Sequence, residues 1–113
     1  MKLLLISLFL PLFLSTTTSH SAEDKLYLTQ PETVICATLE DIMAVYRYAK
    51  ENDIESYKEI IKSGRCNIVP KSIKVQKIES LGIYAGVGEP GKDIFPGSSE
   101  VQWMLNDHLK PAN

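Results

Sequence analysis

The sequence predicts an α+β domain in which an antiparallel pair of helices is set into a small β-barrel. Three observations predict it. Two amphipathic helical patterns lie between Cys36 and Cys66, separated by a short polar break. A short β-branched run precedes them, and several alternating runs follow. The chain has two cysteines, and they bracket the helical stretch.

The first residues read as an export signal. Met1-Lys2 supplies one positive charge, Leu3 to Leu14 an apolar run, and Ser15 to Ala22 a small polar tail. The run is shorter than the roughly 20 residues a membrane-spanning helix needs, and Pro11 interrupts it. Cleavage after Ser21 and cleavage after Ala22 both fit, so residues 1–22 are read as a removable signal peptide. Residues 23–113 then make one domain of about 91 residues, too few for two hydrophobic cores. The expected location is periplasmic or extracellular.

Charge narrows the partners. The formal net charge is -2, and loss of Lys2 makes the exported form one unit more negative. Nucleic acid and anionic membrane both demand a basic face, so neither is expected as the main partner. No second long apolar run follows, so no stable membrane insertion is expected after cleavage. In an oxidising compartment two cysteines most often pair with each other; two free thiols or an intermolecular bridge are the alternatives.

In chain order, Glu23 to Gln30 is a polar lead-in ending in a short strand at Leu26-Tyr27-Leu28, interrupted by Pro31. Thr33 to Ala37 is β-branched and apolar, a second short strand. Thr38 has the character of a helix N-cap, with Asp41 three residues on. Leu39, Ile42, Met43, Tyr46 and Ala49 or Lys50 form the apolar stripe of the first helix, which leaves Tyr48 off the stripe. Glu40 and Asp41 near its start and Arg47 and Lys50 near its end suit the helix dipole.

Asn52-Asp53 restarts the pattern, with either residue a possible cap. Ile54, Tyr57, Ile60 and Ile61 form the second stripe, and Gly64 stands where a left-handed C-terminal cap belongs. So short a break forces an antiparallel hairpin over about residues 38–64. Its two ends are neighbours, which would place Cys36 beside Cys66.

After Cys66 the period becomes two. Asn67 to Pro70 is extended, and Ser72 to Ile78 alternates through Val75 and then slips at Ile78, as at a bulge or a strand end. Glu79-Ser80 is read as a turn. Leu81, Ile83, Ala85 and Val87 alternate again, with Tyr84 on the opposite face. Gly86 and Gly88 weaken the strand end, and residues 89–93 form a loop. Ile94-Phe95 reads as a very short strand, Glu100 to Leu105 as the last strand, Asn106 to Leu109 as a 3₁₀-type turn, and Lys110 to Asn113 as a tail. Closure into a barrel would remove the exposed edges of so many short strands.

These pieces resemble bacterial exported SH3-like barrel domains. The matching residues are Val34-Ile35-Cys36, Gly64-Arg65-Cys66-Asn67-Ile68-Val69-Pro70, Ile73-Lys74-Val75 and Val101-Gln102-Trp103-Met104-Leu105. Leu109 sits where such barrels place an apolar plug. The resemblance implies a barrel with an inserted helical pair. It departs from the usual tight distal hairpin, because Gly86 to Ser99 is long and contains Pro90 and Pro96.

Chemistry offers few leads. Gly86-Val87-Gly88-Glu89-Pro90-Gly91 has the letters of a dinucleotide-binding loop, but Pro90-Gly91 breaks the helix that motif requires. Asp107-His108 is an adjacent acid–histidine pair, and adjacency alone makes no catalytic dyad. His108 reads as a turn residue, and Ser98 and Ser99 have no evident base. No catalytic residue, metal site or cofactor is assigned. The aromatics remain. Tyr84 and Phe95 are the candidate ligand-binding residues; Trp103 is a third, although its alternation with Val101 and Leu105 points to the core. The expected function is an exported, non-catalytic binding module for a protein or a peptidoglycan component. The alternative is a small secreted inhibitor or immunity protein of a toxin or hydrolase, with the loop from Gly86 to Ser99 as its inserting element.

Overall fold

The computed structural model describes residues 26–112. The predicted signal segment lies outside the described residues. The elements are β1 (Leu26–Thr29), β2 (Thr33–Cys36), α1 (Leu39–Glu51), α2 (Ile54–Lys62), β3 (Cys66–Val69), β4 (Lys74–Leu81), β5 (Tyr84–Gly88), β6 (Gln102–Leu105), a 3₁₀ turn (Asn106–His108) and β7 (Leu109–Pro111). The fold is α+β, with two helices and one antiparallel sheet in the order β3-β2-β6-β5-β4-β1-β7. Among the described residues no pairing joins β3 to β7, so the ladder is open where a closed barrel was expected.

The open ladder is nevertheless strongly curled. β1 and β2 stand four places apart in the sheet, about 19 Å if it were flat. Three residues link them, and a link of that length spans at most about 14 Å. The link is in fact a tight turn, in which the Thr33 N–H donates to the Gln30 carbonyl at 3.3 Å. Pro31 fixes one central residue, and Glu32 takes φ 63° at the other, the pattern of a type II turn. The Gln30 N–H also donates to the His108 carbonyl at 2.8 Å. His108 Nδ1 is hydrogen-bonded to the Thr33 hydroxyl at 2.9 Å. The curl is therefore tied where β1, β2 and the 3₁₀ turn meet.

Curling divides the apolar residues into two cores. One lies under the helices and holds Ile42, Val45, Ile60, Val101, Trp103 and the two cysteines. The other holds Val75, Ala85, Val87 and Met104, with Tyr27, Ile35 and Leu109 packed against them. Strands from both halves of the sheet converge on this second core, so it lies inside the curl. Trp103 and Met104 are neighbours in β6 and face opposite cores, as strand alternation requires.

The local signals explain most of the boundaries. The Thr38 hydroxyl accepts from the Asp41 N–H at 3.1 Å, capping α1. Asn52 ends α1 in the left-handed region, φ 61°. Asp53 caps α2, its carboxylate accepting from the Ser56 N–H at 3.2 Å and from the Ser56 hydroxyl at 2.8 Å. Gly64 has φ 85°, directly after α2. The register between β4 and β5 shifts between Lys77 and Glu79, so Ile78 is the extra residue of a bulge. That residue reverses the facing of β4. Leu81 is thereby paired with Tyr84 on the helix side and not on the face of Val75.

Several expectations are corrected. The buried positions of α1 are Ile42 and Val45 with Asp41; Met43 is 44% exposed, so the apolar stripe lies about one position away from the expected one. Tyr48 packs against the helix-side core. Ile54 is exposed. Glu79-Ser80 does not turn the chain: β4 runs through Leu81, and Gly82-Ile83 makes the turn. Gly82 has φ 61°, the glycine-first pattern of a II′ hairpin. Ile94-Phe95 is not a strand, and the supposed tail forms β7 against β1.

Candidate functional site

The disulfide sets the frame. Cys36 and Cys66 are opposed in the β2–β3 register, with Cα atoms 4.1 Å apart, and both are fully buried. The chain leaves the sheet after Cys36, makes both helices and returns at Cys66. Cys36 is also the β2 residue that registers with Trp103 of β6. The staple thus sits where the helices, the β2–β3 ribbon and the rest of the sheet meet. Beside it, Arg65 donates to Asp41 Oδ1 at 2.7 Å. The Arg65 guanidinium, aided by the Thr38 hydroxyl, holds the Asp41 carboxyl below its ordinary value against the opposing effect of burial.

Two surfaces are built on this frame. The first involves Tyr84, the leading sequence candidate. Its ring is half-buried and meets Tyr46 of α1 edge to face, with centroids 6.3 Å apart. Met43, Tyr46, Arg47, Lys50, Glu51 and Tyr84 line a shallow cavity of about 220 Å³. Lys50 Nζ lies 5.3 Å from the centre of the Tyr46 ring. Paired strand residues share a face, so Leu81 extends the apolar surface beside Tyr84. Leu81 is 47% exposed. Sequence reasoning assigned Met43 to the core; its half-exposed place on this surface follows from the shifted stripe of α1.

The second surface opens into the curl. A pocket of about 360 Å³ is floored by Ile35, Val75 and Val87, with Ile73 and Ile94 at its walls. The loop after β5 borders it. The Gly91 N–H donates to Gln76 Oε1 at 3.2 Å, and the Gly97 N–H donates to Glu79 Oε2 at 2.9 Å. Ile94 lies over Gly88, where a Cβ would stand 2.5 Å from its Cδ1. Phe95 follows, 70% exposed. No local signal in the sequence marks this pocket, because its floor comes from strands distant in the chain.

The three aromatic candidates are therefore not gathered into one groove. Tyr84 lies on the helix side, Phe95 on the outer loop, and Trp103 is 7% exposed beneath Val101 and Gly86. Trp103 supports the frame and offers little surface. His108 is tied to Thr33 as described.

No family model matches the chain, and neither a curated protein nor a solved structure matches it. The disulfide is compatible with an oxidising compartment. Among the described residues no helix is long and apolar enough to cross a membrane.

Proposed function

We propose that this is an exported, non-catalytic binding module of the SH3-like class that contacts a protein or a cell-wall component. One observation carries the reading. The surface of Met43, Tyr46, Tyr84 and Leu81 is apolar and aromatic at its centre, with the charged residues Arg47, Lys50 and Glu51 at its margin. Tyrosine, methionine and arginine are the residue types enriched where proteins bind. The stapled frame beneath holds the surface in one shape, which lowers the entropy lost on binding. The test is sedimentation of the oxidised protein with insoluble cell wall, alongside capture of envelope and secreted proteins. Tyr84→Ala is expected to abolish the retained interaction while thermal unfolding stays cooperative. Binding unchanged in Tyr84→Ala and Met43→Ser overturns this surface.

The inhibitor reading is favoured by a different observation, the exposure of Phe95 on a loop held at Gly91 and Gly97. A held loop presenting one aromatic side chain suits insertion into another protein's cleft. Replacing Phe95 by Ser would then remove inhibition and leave the Tyr84 surface working. Full inhibition of a captured hydrolase by that variant rejects the loop as the inserting element.

A further inference from the structure

We propose that the pocket inside the curl of the sheet is a separate ligand site, which takes a small amphipathic carboxylate with its apolar body on Ile35, Val75 and Val87 and its head group at Lys74. Size comes first. The volume of about 360 Å³ falls at the low end of ligand pockets, about 300–1,000 Å³. An apolar cavity of about 150 Å³ already accepts benzene. The pocket therefore suits a short alkyl chain or a single ring system, and not a large cofactor.

The floor sets the chemistry of the body. Val75 and Val87 are buried members of the inner core, with Ile35 packed against them. The polar groups of Thr29 in the wall are engaged, and Gln102 adds an amide to the lining. The Thr29 hydroxyl accepts from the Ile73 N–H at 3.0 Å, and the Thr29 carbonyl accepts from the Ser72 hydroxyl at 2.6 Å. An apolar body thus meets no unmatched polar atom from Thr29.

The rim sets the chemistry of the head. It carries two lysines, Lys74 and Lys92, and two glutamates, Glu89 and Glu100. Lys92 is committed to the glutamates: its ammonium lies 3.1 Å from Glu89 Oε1. Glu89, and more weakly Glu100, raises its proton affinity. Lys74 has no ion pair among the described residues. It is exposed at the first position of β4 and belongs to the lining of the pocket. A carboxylate above the apolar floor would meet this cation, whereas an ammonium head would have to displace Lys92 from its partners.

The experiment titrates the oxidised protein with octanoate, octan-1-ol and octylamine, following backbone amide shifts by NMR. Octanoate is expected to give saturable shifts at Ile35, Val75 and Val87. Lys74→Gln should weaken octanoate about tenfold, equivalent to about 1.4 kcal/mol, and leave octan-1-ol unchanged. Ile73→Trp blocks the mouth from a half-exposed position outside the strands and should abolish binding of both. Its cooperative unfolding would show that the fold is intact. The absence of saturable shifts in the unaltered protein overturns the proposal. So does octylamine binding as tightly as octanoate, or octanoate affinity unaffected by Lys74→Gln. Tyr84→Ala should leave octanoate binding intact, so failure here is separable from failure of the Tyr84 surface.

Discussion

The two cores sit on opposite faces of the same β6 strand, and they are closed by different means. The helix-side core is sealed by a covalent bond, two capped helices and the Asp41–Arg65 pair, with Trp103 and Val101 packed on Gly86. Among the described residues the inner core is made of strand residues, with no helix and no disulfide, and one side of it opens into the pocket. The difference shows how a small domain can keep an accessible apolar site. Stability is concentrated on one face, so the other can remain incompletely filled.

The largest test of this contrast removes the staple. Closing a loop of about 30 residues stabilises by roughly 3–4 kcal/mol on the chain-entropy view. That is a large share of the roughly 5–15 kcal/mol of a typical domain. Replacing Cys36 and Cys66 by Ala together should lower the thermal midpoint by well over ten degrees. The loss should fall mainly on the helices. Hydrogen exchange would show α1 and α2 opening before β4 and β5. Equal exposure of both faces would mean that the two cores are not separable in stability.

The legibility of the molecule in its sequence follows the same division. The helices, their caps, the slip at Ile78 and the cysteine pairing were legible because each rests on neighbours in the chain or on one short excursion; that the slip is a bulge and not a strand end was decided by the pairing with β5. The phase of the α1 stripe was misread because Met43 and Tyr46 are as apolar in type as Ile42 and Val45. Only the sheet beneath decides which pair is buried. The end of β4 was misread because Glu79-Ser80 is polar, yet both residues pair across to Gly86 and Ala85. β7 was missed because its partner is β1, at the other end of the described chain. The pocket was invisible for the same reason: Ile35 and Val87 meet only after the sheet curls. The facing of Tyr84 away from Ala85 and Val87 was legible, but its contact with Tyr46 was not.

A finer test uses two glycines of β5. A Cβ at Gly86 would stand 2.7 Å from Val101 Cγ1 and 3.2 Å from the edge of the Trp103 ring. Both neighbours are buried. Overpacking there should cost about 1–3 kcal/mol, so Gly86→Ala should lower the denaturant midpoint clearly. A Cβ at Gly88 would meet Ile94 Cδ1 at 2.5 Å, the far end of a flexible side chain on the strapping loop. Ile94 can rotate away, and the smaller unfolded-state entropy of Ala returns about 0.4–1 kcal/mol. Gly88→Ala should therefore stay within about 1 kcal/mol of the parent and act mainly on the loop. If Gly88→Ala costs more than Gly86→Ala, Ile94, which packs against the helix-side core, is held there as firmly as Val101 and Trp103.

The smallest effect concerns charge on the sealed face. Asp41 is mostly buried, and its carboxyl lies below its ordinary value of 3.8, chiefly because Arg65 donates to it. A carboxyl that is more acidic when folded stabilises the fold fully above its unfolded value. That contribution is lost as the pH falls through the folded value. The window therefore lies below about pH 4, and neutral and alkaline pH leave the contribution complete. Asp53 is lowered as well, by its hydrogen bonds to Ser56, so the parent protein has at least two carboxyls acting in this range. Asp41→Asn keeps the shape and one acceptor for Arg65 but removes the charge. Denaturation midpoints measured from pH 6 downward should fall less steeply in the variant, with the two curves converging in strong acid. Parallel curves would mean that Arg65, which is largely exposed, is too well solvated to distinguish the charged from the neutral partner. The sealed face would then owe its closure to the disulfide and to packing alone.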